Sequence, residues 1–300
     1  MPVLVREVIE FLDLHSGHIV VDGTVGTGGH GQAILKRIGP TGTLIGLDRD
    51  PMMLELASSV ISEPNCYLRH ANYADLSEVL EKINALEGTG LPKRLVERGV
   101  DRILLDLGLS SNQLADPERG FSFSSTGPLD LRYDTSQGEP AWRYIKRLDE
   151  RKLANILWDY GEERFSRRIA RQLVSRRRAS PVHTASDLVE VVAEAIPNRF
   201  LRRARKHPAT RVFQALRIAV NEELAHLESS LQHSLYDLLS PTGRLVVISF
   251  HSLEDRLTKH AFRDKERWEN LTRKPVTATP AEKRENSRSR SAKLRAAMKK

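Results

Sequence analysis

The chain has 300 residues, of which 40% are hydrophobic, 29% are charged, and the formal net charge is +8. That length suggests one large domain or two smaller ones, and the basic balance favours a polyanionic partner. No stretch of 18 apolar residues occurs, and charged residues among the first 17 argue against a signal peptide. A single cysteine, Cys66, excludes an internal disulfide and a cysteine-only zinc site. We therefore expect a cytoplasmic protein that uses neither a membrane nor a metal.

The first hundred residues alternate between short apolar runs and helical patterns. The runs that predict buried strands are Ile19-Val20-Val21, Thr43 to Leu47, Cys66 to His70 and Arg102 to Asp106. Between them, Asp50 followed by Pro51 predicts a helix start, with aspartate as N-cap and proline in the first turn. Strands that alternate with helices indicate an α/β fold with a parallel, doubly wound, Rossmann-like sheet.

This alternation stops near Ser110 and resumes at Pro208. The residues between show helical spacing, and Thr184 with Asp187 has capping-box spacing. We predict a discontinuous sheet domain at 1–115 and 208–300, with an inserted, mainly helical domain at 116–207.

After the insertion, the pattern predicts one long helix from Pro208 through Leu235, ended by Pro241 and Gly243. A buried strand at 245–248 follows. The basic, serine-rich tail after about residue 275 is typical of a loose polycation.

A glycine-rich stretch follows the first strand. Gly26 to Gly31 matches G-x-G-x-x-G and opens a helix, as in nucleotide-binding sites, although a tight turn alone also needs glycine. Asp48 ends the second strand, where a carboxylate accepts hydrogen bonds from ribose hydroxyls. Asp22 precedes the loop, and an acid there favours S-adenosylmethionine, which carries an ammonium and no phosphate, over NAD. The alternative is that Asp22 caps the N–H groups of the loop.

Short residue blocks run nearly end to end along the chain. They include Pro2-Val3-Leu4, Asp22-Gly23-Thr24, Gly28-Gly29-His30, Asp48-Arg49-Asp50-Pro51, Leu105-Asp106-Leu107-Gly108, Arg119-Gly120-Phe121-Ser122-Phe123, Tyr160-Gly161-Glu162-Glu163, His207-Pro208-Ala209-Thr210-Arg211 and Ser249-Phe250-His251-Ser252-Leu253-Glu254-Asp255. In this order they resemble the ribosomal RNA small subunit methyltransferase H family, also called MraW. The one marked departure inside the insertion is Leu131-Arg132-Tyr133, where the family usually has Met-Arg-Met.

The resemblance implies an S-adenosylmethionine-dependent enzyme that methylates N4 of a cytosine in 16S rRNA, within a small ribosomal subunit or its precursor. It also implies cofactor roles at matched positions. Gly28, Gly29 and His30 would line the methionine part, Asp48 would hold the ribose, and Tyr73 would lie by the adenine. Asp106 and Gln113 would close the site. Asp22, the acid before the glycine loop, is a further cofactor-binding candidate.

Two arginine-rich stretches of the insertion predict an RNA-binding face. Residues 164–178 contain seven arginines, and residues 116–207 contain 19 basic and 13 acidic residues, a net charge of +6. Such residues bind RNA phosphates largely through counterion release. The alternative is a solvated helix face with Glu162 and Glu163 as partners. The RNA-binding candidates are Arg176, Arg177, Arg178, Arg202 and Arg203.

The expected methyl acceptor is an exocyclic cytosine nitrogen. Methylation of ring carbon 5 needs a cysteine adduct, and Cys66 lies in the predicted third strand rather than at the end of the fourth. A nitrogen target needs acceptors for the amine protons as positive charge develops. The candidates for this role are Asp106, Ser110 and Ser111, with His251 as a candidate for positioning the base.

Two other functions remain open on sequence grounds. One is an NAD-linked oxidoreductase on a similar sheet. The other is a ribosome-assembly factor that keeps the fold and only binds RNA. A nucleotide titration separates the first from a methyltransferase, and an assay of methyl transfer separates the second.

Overall fold

The computed structural model describes residues 1–85, 95, 98–202 and 207–300, and this part of the chain forms two compact units. The first unit comprises Met1–Gly108 and Leu224–Lys300, and the second comprises Leu109–Glu223. Both boundaries of the expected insertion, 116 and 207, fall inside the second unit. The second unit extends beyond residue 207 because Val212, Phe213 and Leu216 pack into its core.

The first unit is built on a sheet that has seven strands in the described residues. They are β1 Ile19–Asp22, β2 Thr43–Asp48, β3 Cys66–His70, β4 Val100–Asp106, β5 Leu239–Ser249, β6 Trp268–Asn270 and β7 Lys293–Lys299. Their order in the sheet is β3-β2-β1-β4-β5-β7-β6. The first five in this order pair in parallel, whereas β7 runs antiparallel to both β5 and β6. The prediction of a Rossmann-like α/β fold is confirmed.

Both faces of this sheet are covered. Along β1, Ile19 and Val21 lie in one core cluster, whereas Val20 lies in another. Successive side chains of a strand point to opposite faces, so a continuous apolar run is what a strand buried on both sides requires.

Helices cover the sheet. Those in or bordering the first unit are Val5–Leu12, Gly29–Ile38, Pro51–Val60, Leu76–Asn84, Glu223–Gln232, Ser234–Leu238, Ser252–Ala261 and Pro280–Glu285. The predicted cap is confirmed, since Asp50 accepts a hydrogen bond from the Met52 N–H at 3.1 Å and Pro51 opens the helix.

The predicted long helix after Pro208 is wrong. The chain forms the helices Thr210–Asn221, Glu223–Gln232 and Ser234–Leu238 instead. Glu222 adopts a left-handed conformation with φ 53°, which an α-helix does not continue through. Apolar spacing did not reveal the break because each segment keeps its own buried face.

Two expectations about the last part of the chain also need correction. β5 already starts at Leu239, and a register shift against β4, between Val100 and Arg102, accommodates Pro241 and Gly243 within it. The basic tail is not loose, because β7 inserts between β5 and β6.

The charges of β7 have partners. Arg295 is buried, and its Nε donates to Asp255 Oδ1 at 2.6 Å, while Lys293 Nζ donates to Oδ2 of the same carboxylate at 3.1 Å. These contacts hold the pKa of Asp255 below its usual range, although burial acts in the opposite direction.

The second unit is helical. Its helices are Ser111–Ala115, Ala141–Arg147, Glu150–Asp159, Ser166–Arg176, Ala185–Ala195, Asn198–Leu201 and Thr210–Asn221. They enclose an apolar core that includes Leu157, Ile169 and Leu188. The predicted capping box is confirmed, with the Asp187 N–H donating to Thr184 Oγ1 and the Thr184 N–H donating to Asp187 Oδ2. In the described parts of both units, the helices are too short or too polar to cross a bilayer.

Candidate functional site

Three carboxylates mark one edge of the sheet. Asp22, Asp48 and Asp106 are the last residues of β1, β2 and β4, which are neighbours in the order β2-β1-β4. Since these strands run in parallel, their carboxyl ends meet at the same edge. This is the edge at which open α/β sheets bind ligands.

The glycine-rich stretch forms a tight turn at this edge. Gly26 and Gly28 have φ values of 53° and 85°, a backbone region that side chains with a Cβ rarely adopt. The Gly26 N–H donates to Asp48 Oδ2 at 2.9 Å, so the carboxylate at the end of β2 fixes the turn after β1. The glycines therefore satisfy the needs of a turn, and they also bring backbone N–H groups to the carboxylate edge.

The two carboxylate oxygens of Asp22 lie in different surroundings. Its Oδ1 accepts a hydrogen bond from the Thr24 N–H at 3.2 Å, as the capping alternative predicts. Its Oδ2 is buried and has no hydrogen-bond partner among the described residues. A fully buried carboxylate oxygen without a donor is costly, so it is suited to a ligand that carries N–H groups.

His30 is the histidine that faces Asp106. Its Nε2 lies 3.4 Å from Asp106 Oδ2, within ion-pair distance but without hydrogen-bond geometry. In the described part of the chain, both ring nitrogens of His30 and Asp106 Oδ1 are buried without a hydrogen-bond partner. The Asp106 backbone is held separately, because its N–H donates to Thr24 Oγ1 at 2.6 Å.

Burial shifts the proton affinities of this cluster. It raises the pKa of Asp22 to about 7, although the charge of His30 acts to lower it. It also raises the pKa of Asp48 to about 6, against the hydrogen bonds from the Asp50 and Gly26 N–H groups. Burial alone lowers the pKa of His30, but the contacts with Asp106 and Asp22 outweigh it, so the net shift is upward. The carboxylates at this edge of the sheet outnumber the nearby positive charges, so a cationic group of a ligand would be stabilised there.

Sequence reasoning missed the segments that cover the glycine turn. A Cβ on Gly29 would lie 3.0 Å from Pro2 Cγ. Arg288 Nη2 donates to the Met1 carbonyl at 2.7 Å, and Glu282 Oε1 accepts from the Leu4 N–H at 2.8 Å. The tail residues therefore fix the first residues of the chain beside the turn. No local sequence signal indicated this pairing, which spans almost the whole chain.

Two other predicted residues occupy defined positions in the first unit. Tyr73 is 8% exposed and packs in the core cluster shortly after β3. His251 is the N-cap of Ser252–Ala261, where its Nδ1 accepts from the Glu254 N–H and its Nε2 lies 3.0 Å from Glu254 Oε1. These contacts give His251 a capping role that sequence reasoning did not assign.

Ser110, Ser111 and Gln113 lie in the second unit. Ser110 and Gln113 form a capping box, in which the Gln113 N–H donates to Ser110 Oγ at 3.0 Å and the Ser110 N–H donates to Gln113 Oε1 at 2.9 Å. Gln113 is buried and Ser111 is exposed. The capping box fixes the start of the helix Ser111–Ala115 directly after the Asp106 segment in the chain.

Cys66 opens β3, as predicted, and is partly buried. Burial, together with the nearby charges of Glu63 and Asp22, raises the pKa of its thiol to about 12. The thiol therefore stays protonated at neutral pH and is a poor nucleophile.

The predicted RNA-binding arginines divide into groups. Arg176 is 2.8 Å from Glu194 and 3.8 Å from Glu190, and Arg177 donates to the carbonyls of Ile145 and Leu148. Arg178 and Arg202 are exposed, and Arg203 lies outside the described residues. Two of the five guanidinium groups therefore serve the helical unit itself.

Known proteins resemble this chain along nearly all of its length. The family model described as the MraW methylase family matches residues 1–300. The curated ribosomal RNA small subunit methyltransferase H of Nitratidesulfovibrio vulgaris is 45% identical over 318 residues, which cover 99% of this chain and 84% of that protein. The protein of the same name from Thermotoga neapolitana is 45% identical over 300 residues, covering 99% and 95%.

Among solved structures, an rRNA methylase from Streptococcus thermophilus aligns with a TM-score of 0.40 at 10% identity, covering 98% of this chain and 93% of that one. The full-length family match and the two relatives confirm the resemblance seen in the sequence blocks. The chain belongs to the MraW methylase family, and S-adenosyl-L-methionine is its methyl donor.

Proposed function

We propose that this chain methylates the exocyclic N4 of a cytosine in small-subunit (16S) ribosomal RNA, within the subunit or its precursor. The names of the 45% identical relatives support small-subunit rRNA as the substrate. The observation that favours the cytosine nitrogen as methyl acceptor is Asp106 Oδ1, a buried hydrogen-bond acceptor at the end of β4. Cys66, the single cysteine of the sequence, does not supply an activated thiol.

The cofactor roles proposed for these residues combine the chemistry of the carboxylate edge with the roles that the family resemblance implies. When bound, S-adenosylmethionine supplies an electrophilic methyl group on a sulfonium. Asp22 offers a buried carboxylate oxygen to its ammonium group, and Gly28, Gly29 and His30 line its methionine part. Asp48 accepts hydrogen bonds from the ribose hydroxyls, with Tyr73 beside the adenine and Asp106 closing the site at the end of β4.

Replacing Asp48 with alanine is expected to weaken cofactor binding by about 1–3 kcal/mol, because ribose hydroxyls lose a charged acceptor. The variant also loses the acceptor for the Gly26 N–H, so the glycine turn loosens. Calorimetric titration with S-adenosylmethionine measures the change, and circular dichroism checks the fold. Wild-type affinity in a folded variant would remove Asp48 from the site.

The chain's contribution to the chemistry is to hold the base and accept its proton. The lone pair of a cytosine amine is delocalised, and it becomes available only as the nitrogen pyramidalises and positive charge develops there. A preorganised acceptor stabilises that state more than the ground state. Asp106 is our candidate for this acceptor, with Ser110 and Ser111 following it in the chain. His251 acts indirectly, as the cap that orients the start of its helix.

Methylation of carbon 5 would require a different site. That reaction begins with attack of a thiolate on carbon 6 of the base. The single cysteine has a thiol pKa of about 12 and lies in β3, which is separated from β4 by β2 and β1. A nitrogen acceptor needs no covalent step, so it suits the residues at the end of β4.

The test is a methylation assay with defined products. Purified protein is incubated with S-adenosylmethionine and small ribosomal subunits that lack this modification, and in parallel with free 16S rRNA. The RNA is digested to nucleosides and separated by liquid chromatography before mass spectrometry. N4-methylcytidine from either substrate supports the proposal, whereas 5-methylcytidine contradicts it. RNA binding without any methyl transfer would favour an assembly factor.

A further inference from the structure

One surface of the helical unit combines arginines with aromatic rings. The Arg164 guanidinium carbon lies 4.7 Å from the ring centre of Phe165 and 4.1 Å from that of Phe200. Arg199 lies 4.8 Å from the Phe200 ring centre, and the two ring centres are 5.1 Å apart. We call Arg164, Phe165, Arg199 and Phe200 the arginine–phenylalanine cluster. Both arginines are exposed and both rings are partly buried.

The charge of this cluster is not neutralised locally. In the described part of the chain, no carboxylate lies within 4.0 Å of Arg164 or Arg199. The same holds, within those residues, for three further exposed arginines nearby in the sequence, Arg167, Arg168 and Arg202. Glu163 was a candidate partner for this face. It is buried, and its Oε1 instead accepts from the Phe165 N–H at 2.8 Å. Glu163 therefore does not neutralise the charge of Arg164 or Arg199.

Other arginines of the same unit behave differently. Arg171 pairs with Glu150 at 3.5 Å, and Arg176 pairs with Glu194 at 2.8 Å. Arginine clusters in this unit thus separate into an ion-paired group and an uncompensated group. The uncompensated group includes Arg164 and Arg199, which lie over the Phe165 and Phe200 rings.

We propose that the arginine–phenylalanine cluster is a docking surface for a single-stranded segment of the RNA substrate. Guanidinium groups stacked on rings keep their N–H edges available for phosphates, and their faces and the rings offer stacking area to bases. Aromatic rings beside a positively charged track are the usual elements of single-strand binding. An acidic protein would use the charge but not the stacking faces. This inference rests on the proposed function for the identity of the RNA.

The experiment measures binding by full-length protein to a fluorescein-labelled 20-nucleotide oligocytidylate over a range of salt concentrations. The variant R164Q/R199Q removes two uncompensated charges, and R171Q/R176Q is the matched control because it removes two paired ones. We expect R164Q/R199Q to weaken binding at least about 10-fold and to lower the salt slope by about 1.4, from 0.7 per lost phosphate contact. R171Q/R176Q should change affinity less than about 3-fold.

A third variant tests stacking without a change of charge. F200L is expected to weaken oligocytidylate binding by about 10-fold, while its salt slope stays that of the wild type. Thermal unfolding midpoints within a few degrees of wild type establish that each variant folds. A wild-type affinity of F200L, equal losses in the two arginine pairs, or equally tight binding of polyglutamate would each overturn the assignment.

Methyl transfer is measured separately on small subunits. If the wild type transfers no methyl group but R164Q/R199Q alone loses RNA binding, the proposed function fails and the docking surface stands. If methyl transfer occurs and the two arginine pairs bind RNA equally, the docking surface fails and the proposed function stands.

Discussion

Replacing Asp106 with alanine is expected to reduce methyl transfer by about 10²–10⁴-fold, the range lost when a positioned proton acceptor is removed. The carboxylate has one buried oxygen without a donor and lies 3.4 Å from His30 Nε2, so its removal affects both the acceptor and the charge that faces the histidine. Single-turnover rates at saturating cofactor isolate the chemical step, and calorimetry reports cofactor binding.

The variant Asp106→Asn separates the contribution of Asp106 to the chemical step from its contribution to cofactor binding. It keeps the shape of the side chain and removes its charge. A loss of rate with near-normal cofactor affinity assigns the effect to the chemistry, whereas equal losses in both assign it to cofactor binding. Cys66→Ala is the control, because a protonated thiol in β3 has no part in a nitrogen-directed reaction. A folded Cys66→Ala protein without activity would contradict this mechanism.

Replacing Asp22 with asparagine is expected to make the cofactor-free protein more stable at pH 8 than the wild type. Burial raises the pKa of Asp22 to about 7, above its ordinary value of 3.8. Between these two values the folded protein holds a proton that the unfolded chain has released. The free energy of unfolding therefore falls as pH rises from about 4 to about 7, by on the order of 4 kcal/mol for this group.

His30 acts in the same direction. Its pKa in the folded protein is raised, so its contribution is complete below 6.5 and is lost as pH rises through its value in the folded state. Urea unfolding at several pH values measures the effect. The difference in stability between Asp22→Asn and wild type should grow in favour of the variant from pH 4 to pH 8. Parallel pH profiles for the two proteins would show that the pKa of Asp22 is the same in the folded and unfolded states, and would contradict this prediction.

Local patterns predicted the sheet and its polar edge well. Apolar runs that end in aspartate located β1, β2 and β4, because a strand buried on both faces needs continuous apolar residues and its carboxyl end is where polar groups become accessible. The N-cap at Asp50 and the capping box at Thr184 were recognisable because both motifs depend on residues a few positions apart. The resemblance to the family added the roles of residues that no local pattern could supply.

The features that were missed depend on distant contacts. β7 reads as a polar tail in the sequence, because the partner of Lys293 and Arg295 is Asp255, 40 residues earlier than Arg295. The arginines at 176 and 177 have the same local composition as Arg164 and Arg168, but Glu194 and the Ile145 and Leu148 carbonyls engage them. Composition counts charges, whereas binding depends on which charges the fold leaves without a partner.

The most direct test of the central claim compares small-subunit rRNA from cells with and without the gene. The rRNA is purified, digested with nucleases, and analysed by liquid chromatography with mass spectrometry for methylated cytidines. The account predicts one N4-methylated cytosine that disappears with the gene, returns with the wild-type gene and does not return with Asp106→Ala. An unchanged N4-methylcytosine content, or the loss of a 5-methylcytosine in its place, would contradict it.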